Sequence, residues 1–331
     1  MVIVNEVTDA FVAVAGGVSC SREHNVRNLV LTRRGPDDLN GIVEWEVMSV
    51  GSSRVAERIR RPHWSLARTW LLQPGLPGGG DAFDSAAAGR ADIVVLDIED
   101  GLPDSQKADG RQAVAEYLGT GGRAWVRINC VSTPAWSADL DALAQTPGLA
   151  GVMLAKTEGA DDVAATAARL PEGTPVVALV ESALGLESAA DIARTPGCGR
   201  IAFGVGDFRR DTGMSDDPTV LAYARARLVV ASRAAQLPAP IDGPTLRTAA
   251  NRLARETAVA KAAGMSGRLC LDPAHAETIN SLLSPSPMEI DEARRTLAQL
   301  DAPAGPYDGS VGPTKARAEA VLALAAKLGL D

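Results

Sequence analysis

The segment "VVALVESALGL" (residues 176–186) decides the fold class of this chain. It opens with an apolar run, Val176 to Val180, and a run this short and this apolar is typical of a strand buried on both faces. Glu181 follows the run at once, and a helical pattern follows Glu181. Because burying a carboxylate without a partner is costly, Glu181 either leaves the core at the strand end or meets a positive group there.

The same order of strand and helix repeats along most of the chain. Helical patterns separate most of the short apolar runs, and eight such runs in succession predict a (β/α)₈ TIM barrel in the α/β class. The alternative is an open doubly wound sheet, which predicts a glycine-rich dinucleotide loop after the first strand. The loop "PGLPGGGD" (74–81) lacks the GxGxxG spacing. The predicted strands are 69–73, 92–100, 124–129, 151–156, 176–181, 200–207, 238–242 and 267–272.

The two ends of the chain differ from this repeat. Residues 1–62 contain three strand-like runs, at 10–18, 25–34 and 41–50, and predict a small β-rich N-terminal extension, with a loosely ordered extension as the alternative. Residues 63–290 form the predicted TIM-barrel catalytic domain. Residues 291–331 are predicted to form a C-terminal helical segment that covers the site or packs on a neighbouring subunit.

The overall composition excludes several classes of protein. The 331 residues carry a formal net charge of −8, which argues against nucleic acid as the main partner. The four cysteines are far apart and form no CxxC pair, so we expect neither a disulfide framework nor a zinc cluster, and a reduced, cytoplasmic protein. No uninterrupted apolar run approaches the roughly 18 residues of a membrane span, so we expect no membrane partner.

Polar residues stand at seven of the eight predicted strand ends. In a TIM barrel the active site lies at the C-terminal ends of the strands, so these residues would converge on one mouth. Each one alone has a simpler explanation as a solvated loop residue or a helix cap. The residues are Asp97 with Glu99 and Asp100, Arg127 with Asn129, Lys156, Glu181, Asp207, Asp242 and Asp272.

The chemistry of this set favours a hard cation and an anionic substrate. Carboxylates such as Glu181 and Asp207 suit Mg²⁺, which takes one or two of them and leaves its other positions to water and substrate. Arg127 has the planar fork that holds a carboxylate or phosphate through two bonds. None of the three histidines stands at the end of a predicted strand, and no GxSxG motif occurs. The residues therefore predict Mg²⁺-assisted chemistry on an oxygen-rich anion, with the metal polarising a carbonyl and stabilising an enolate.

Eight segments, taken in order, resemble the citrate lyase beta-subunit branch of the HpcH/HpaI aldolase superfamily, which includes malyl-CoA and citramalyl-CoA lyases. "RTWLLQPG" (68–75) is similar to the opening strand of that family, and "ADIVVLDIEDGLPDSQKADGR" (91–111) to its Leu-Glu-Asp segment. "VRIN" (126–129) is similar to the substrate-arginine strand, and "LAKTE" (154–158) to a Pro-Lys-x-Glu motif. The two metal-ligand segments correspond to 176–186 and 201–213, and the last two strands to 240–242 and 264–273.

The resemblance implies a role for each matching residue. Glu181 and Asp207 would bind Mg²⁺, with Mn²⁺ as an alternative, and Arg127 would hold the carboxylate or keto-acid end of the substrate. Glu99 and Asp100, counted with Arg127 as catalytic, would orient metal-bound water and Arg127 itself.

Three further substrate contacts are implied. Arg68 would help at the same anionic end of the substrate. Lys107 would lie near cofactor phosphates or, equally, pair with the acidic loop. The backbone amides after Asp207 would meet the substrate carboxylate.

The implied function is that of a Mg²⁺-dependent carbon–carbon lyase or aldolase. It would cleave or form a bond between a 2-keto acid and an acyl thioester of the 3-hydroxyacyl-CoA type, carried by CoA or by a carrier protein. The resemblance also implies a homotrimer or homohexamer. The alternatives are a thioester hydrolase or an aldehyde-accepting aldolase with the same metal site, and a non-catalytic binding or assembly paralogue.

The sequence departs from the family pattern at two places. The last strand usually ends Ile-His-Pro, and here it reads Leu271-Asp272-Pro273. Many members carry an acid in a C-terminal Val/Ile-Asp-Ala-Pro sequence that completes a neighbour's site. Here Val311-Gly312-Pro313 stands in its place, and Asp308 is out of register. These departures predict a specialised paralogue.

Overall fold

The structure is a computed structural model that describes residues 2–5, 28–33, 45–49, 61–246, 250–301 and 308–330. The chain divides into two compact units, Met1–Arg60 and Arg61–Asp331.

The first unit contains a three-stranded antiparallel sheet. Its strands are β1 (Val2–Asn5), β2 (Asn28–Arg33) and β3 (Trp45–Ser49), in the order β1-β2-β3. Strands β2 and β3 lie inside the predicted runs 25–34 and 41–50, whereas β1 was not predicted. The predicted run 10–18 lies outside the described residues.

The second unit is built on a closed barrel of eight parallel strands that follow one another in chain order. This confirms the TIM-barrel prediction. The strands are β4 (Thr69–Pro74), β5 (Ile93–Asp97), β6 (Ala124–Ile128), β7 (Leu149–Leu154), β8 (Val176–Val180), β9 (Cys198–Phe203), β10 (Ile241–Asp242) and β11 (Gly267–Cys270). Strand β10 has only two residues because Pro238 and Pro240 before it have no N–H to donate.

Helices surround the barrel and follow each strand. They are α1 (Gly80–Ala88), α2 (Lys107–Gly119), α3 (Pro134–Leu143), α4 (Ala160–Ala167), α5 (Ala183–Glu187), α6 (Ala189–Arg194), α7 (Val205–Thr212), α8 (Ala222–Ala234), α9 (Ala250–Ala262) and α10 (Ala276–Leu283), with α11 (Pro287–Leu300) and α12 (Val311–Leu328) at the C-terminus. Helices α11 and α12 pack on each other. None of the helices in the described ranges is both long and apolar enough to cross a membrane.

Side-chain alternation along the strands divides the core into two layers. Successive residues of a strand point to opposite faces, so Val94 and Leu96 pack outward against the helices while Val95 points into the barrel. Trp125 and Leu179 point inward by the same rule. The residue two positions after each of these three also faces the barrel interior. These residues are Asp97, Arg127 and Glu181.

The bottom of the barrel is closed by a fully buried arginine and aromatic rings. Arg200 donates from Nε to the carbonyl oxygen of Ala239 at 2.7 Å and from Nη1 to that of Ala67 at 2.9 Å. Its guanidinium carbon lies 5.8 Å from the centroid of the Trp70 ring, which meets Trp125 edge-on at 5.0 Å. Burial lowers the pKa of Arg200 to about 9, and these contacts offset part of that desolvation.

Candidate active site

Two adjacent strands bring an acid and an arginine face to face at the barrel mouth. Asp97 ends β5 two residues after the inward-facing Val95, and Arg127 lies two residues after the inward-facing Trp125 on β6. The β5–β6 register puts Asp97 directly opposite Arg127. Period-two alternation and strand pairing therefore fix this pair without any help from loops.

Asp97 holds Arg127 through two parallel bonds. Arg127 Nε donates to Asp97 Oδ1 at 2.8 Å, and Nη2 donates to Oδ2 at 2.5 Å. Burial lowers the pKa of Arg127, but the bonds and charge of Asp97 outweigh it and hold the pKa above its usual range. Asp97 occupies the Nε side of the guanidinium, which leaves the Nη1 side to face the mouth. Arg127 Nη1 lies 3.4 Å from Glu99 Oε2.

Lys156 joins acidic residues that follow three other barrel strands, β5, β8 and β9. Its ammonium forms an ion pair with Glu99 and lies 3.7 Å from Asp100 Oδ2 and 3.8 Å from Asp207 Oδ2. Its backbone N–H donates to Glu181 Oε1 at 2.8 Å. Lys156 has a φ of 47°, in the left-handed region that non-glycine residues seldom adopt. Backbone strain of this kind is concentrated at functional sites.

Burial and like charges raise the pKa of two carboxyl groups at the mouth. Burial raises the pKa of Glu181 to about 7, opposed by the Lys156 backbone N–H and Arg127, while the charges of Glu99 and Asp207 add to the rise. Burial also raises the pKa of Glu99, although Arg127 and Lys156 oppose it. The mouth thus concentrates more carboxylate than its cations neutralise, a condition that a bound cation relieves.

The donor set at Glu181 and Asp207 fits a hard divalent cation. Asp207 lies in the first turn of α7, and its buried Oδ2 atom has no hydrogen-bond partner within the described residues. The Glu181 carboxylate lies so close to Gly204 that a Cβ there would be 3.0 Å from Glu181 Cδ. In the described parts of the chain, no group of three or more His, Cys, Asp or Glu residues is placed to hold a metal. A cation here would take these two carboxylates and complete its shell with water and substrate, as Mg²⁺ does.

The structure does not bring Arg68 to this mouth. Arg68 precedes the first residue of β4, at the N-terminal end of the barrel. Its guanidinium forms a bidentate pair with Asp92, at 2.8 and 2.9 Å, and donates to Ser284 Oγ at 2.7 Å. The expectation that Arg68 helps to hold the substrate does not fit this position, because the strand separates it from the C-terminal ends.

Lys107 adopts the local pairing that was one of its two expected roles. Its ammonium donates to Asn129 Oδ1 at 2.9 Å and lies 3.1 Å from Asp104 Oδ1 in the acidic loop. Asn129 in turn donates from Nδ2 to the fully buried Asp139 at 2.7 Å. Lys107 therefore supports the β6 end next to Arg127.

Asp242 and Asp272, at the last two predicted strand ends, have structural roles outside the cluster at the mouth. Asp242 is fully buried and accepts hydrogen bonds from Arg225 at 3.1 and 3.2 Å. Asp272 caps the 3₁₀ turn Pro273–His275 by accepting from the backbone N–H of Ala274 at 2.9 Å. The helix-cap explanation thus holds for Asp272, and an ion-pair explanation for Asp242.

Sequence reasoning gave no role to Asp97 or Lys156, although both stand at predicted strand ends. Two-residue alternation after Val95 was sufficient to place Asp97 inside the barrel. The left-handed backbone of Lys156 and its contacts with residues of three other loops could not be predicted from the local sequence.

Fold and site together define a TIM-barrel protein whose mouth carries buried carboxylates beside an arginine and a lysine, at the end where barrel enzymes place their active sites. Residues 81–273 match the HpcH/HpaI aldolase/citrate lyase family, and the chain belongs to that family.

Individual relatives differ in the reaction they are named for. The chain is 30% identical over 234 residues to (3S)-malyl-CoA thioesterase of Cereibacter sphaeroides, covering 68% of this chain and 81% of the relative. It is 29% identical over 267 residues to L-malyl-CoA/beta-methylmalyl-CoA lyase of the same species, covering 68% and 82%. The crystal structure of CitE from Mycobacterium tuberculosis in complex with magnesium, acetoacetate and coenzyme A has a TM-score of 0.68 and 29% identity, covering 79% of this chain and 99% of that one.

Proposed function

We propose that this protein is a Mg²⁺-dependent carbon–carbon lyase that acts on a 3-hydroxyacyl thioester, releasing or joining a 2-keto acid and an acyl thioester. The observation that carries the proposal is the buried Asp207 Oδ2 atom without a hydrogen-bond partner, in a cluster with Glu181 and beside Arg127. The CitE structure with magnesium, acetoacetate and coenzyme A supports it by relationship.

The substrate carboxylate would bind at the open side of Arg127. Asp97 fixes the guanidinium by its Nε side, so the fork cannot rotate away when a substrate enters. A small keto acid held there would place its carbonyl towards Glu181 and Asp207. A divalent cation bound by these two carboxylates supplies Lewis-acid polarisation of that oxygen.

Glu99 and Lys156 would hold and move protons at the mouth. Burial raises the pKa of Glu99, so its carboxyl binds a proton more readily than an exposed glutamate. The Lys156 ammonium contacts Glu99 and reaches Asp100 and Asp207, and it would orient these carboxylates for substrate. Both residues lie on the side of the mouth next to Arg127.

A thioesterase is the second candidate function. In place of the family's C-terminal acid, Val311–Pro313 forms the first turn of α12. The nearby Asp308 is exposed, and its Oδ1 accepts from the Ser310 N–H and Oγ at 2.7 and 2.6 Å. The similarity to a (3S)-malyl-CoA thioesterase supports the same alternative.

Product analysis distinguishes the two candidates. The protein is incubated with (3S)-malyl-CoA and MgCl₂, with Asp207→Asn as the inactive variant and Asp191→Asn, which is exposed on α6, as the matched control. Carbon–carbon cleavage yields glyoxylate and acetyl-CoA, and the thioester bond survives. Hydrolysis yields malate and free CoA thiol. Malate as the product would refute the lyase proposal, and equal activity of the Asp207→Asn variant would refute the assigned metal site.

A further inference from the structure

A polar cavity lies between α7, α8 and α9, next to β10 and β11. Its volume is about 100 Å³, and residues of α7, α8 and α9 line it together with the segment after β10. About 10–15 Å³ of such space holds one water molecule, so this cavity is large enough for a phosphate-sized ion. Its charged lining residues are Arg209, Asp216, Arg225, Arg252, Arg255, Glu256 and Arg268.

Two buried arginines of this lining have donors without acceptors. Arg225 Nη1 has no hydrogen-bond partner within the described residues, and neither do Nε and Nη1 of Arg268. Arg225 is 7% exposed and Arg268 2% exposed, so both guanidinium groups are shielded from bulk solvent. Buried donors are nearly always paired, and an unpaired guanidinium N–H is among the costliest exceptions.

The nearby carboxylates of Asp242 and Glu256 do not accept hydrogen bonds from these unpaired donors. Asp242 accepts from Arg225 Nε, and its Oδ2 lies 3.5 Å from Arg268 Nη1, beyond a good hydrogen bond. Glu256 accepts from Arg268 Nη2 at 2.9 Å and from Arg252 Nε at 2.5 Å. Five arginines therefore face two lining acids and Asp242 in a chain whose net charge is −8.

We propose that this cavity binds a phosphate-sized oxyanion, with Arg225 and Arg268 as its buried donors. Guanidinium groups recognise phosphate oxygens through paired N–H bonds, and an enclosed, low-dielectric site strengthens them. Burial lowers the pKa of Arg268, and a bound anion would remove that penalty. The phosphate group could come from the free ion or from a larger ligand such as coenzyme A.

Calorimetric titration with sodium phosphate tests the proposal, with sodium chloride at equal ionic strength as the reference. Phosphate should bind the full-length wild-type protein, and Arg225→Lys should weaken that binding about tenfold or more, because a lysine keeps the charge beside Asp242 but loses the fork. Arg227→Gln is the matched control, since Arg227 lies on the same helix but donates to the Glu187 carbonyl oxygen outside the cavity. No phosphate-specific heat, or equal affinity in Arg225→Lys, would overturn the proposal.

A second variant covers the case in which Arg225→Lys does not fold. Arg209→Gln removes a partly exposed lining charge from α7 and should weaken phosphate binding about threefold. Unchanged affinity in a folded Arg209→Gln protein would then overturn the proposal. Coenzyme A titrated into the same variants identifies the source of the phosphate group: parallel losses assign the cavity to a phosphate of the larger ligand, and loss of phosphate binding alone assigns it to the free ion.

Discussion

Adding one methyl group at Gly204 should weaken magnesium binding by crowding Glu181. A Cβ at this position would lie 2.5 Å from Glu181 Cβ and 3.0 Å from its Cδ, so Gly204→Ala forces the Glu181 side chain to move. The backbone is not the obstacle, because Gly204 has φ −84° and ψ 76°, which alanine tolerates. The substitution therefore acts on the predicted ligand by steric contact alone.

The size of the effect follows from the cost of overpacking. Inserting a methyl group into a packed site typically costs about 1–3 kcal/mol. Rotation of a side chain does not move its Cβ, so the contact with Glu181 Cβ shifts the backbone at Gly204 or Glu181 and displaces the carboxylate from its ligand position. At about 1.4 kcal/mol per factor of ten, magnesium affinity should fall between roughly 5-fold and 150-fold.

Calorimetric titration with MgCl₂, with and without pyruvate, measures this change. Gly206→Ala is the control, because it adds the same methyl group two residues further along α7, where a Cβ meets nothing within 4 Å. It should retain wild-type magnesium affinity. Wild-type affinity in Gly204→Ala would refute the placement of Glu181 as a ligand. An equal loss in both variants would mean that the helix, and not Glu181, responds.

Three further predictions concern the charged residues of the barrel. Asp97→Asn should cost about 3–5 kcal/mol of unfolding free energy in urea, because Arg127 stays buried without its bidentate partner and keeps only the longer contact with Glu99, whereas Asp141→Asn at an exposed pair should cost under about 1 kcal/mol. Arg200→Met should destabilise by about 3 kcal/mol, by leaving buried carbonyl oxygens unpaired, yet leave magnesium affinity unchanged; a loss of affinity would contradict the separation of the two barrel ends. Since burial raises the pKa of Glu181 to about 7, magnesium affinity should rise as the pH increases through 7, because only the ionised carboxylate binds the metal. The same shift stabilises the metal-free fold fully below about pH 4.5 and is lost as the pH rises through 7, so affinity and metal-free stability should change in opposite directions, and a flat affinity between pH 6 and 8 would count against this assignment.

The sequence was sufficient to predict the barrel because each strand is a short apolar run and helical patterns surround it. The exceptions lie at strand ends. Strand β7 ends at Leu154 and not at the predicted 156, because Lys156 turns to a positive φ. Asp207 lies in the first turn of α7 and not on β9, yet it reaches the mouth because β9 and α7 are joined by Gly204 alone.

The site was predicted less completely than the fold, for reasons that differ between residues. Arg68 was misplaced although the strand direction was available: a residue before the first strand lies at the N-terminal end of a barrel. The contacts of Lys156 depend on tertiary structure that no local pattern encodes. The roles of Glu181, Asp207, Glu99 and Asp100 and the homotrimer or homohexamer stay predictions.

The closed bottom of the barrel has a kinetic consequence. Arg200 and Trp70 fill the interior below the mouth, so a ligand has one way in and the same way out. Under the proposed function, a small keto acid held at Arg127 would lie deeper than a long thioester that extends to solvent. The molecule bound deeper would then have to arrive first and depart last. We therefore expect product-inhibition patterns of the ordered type, and not of the random type.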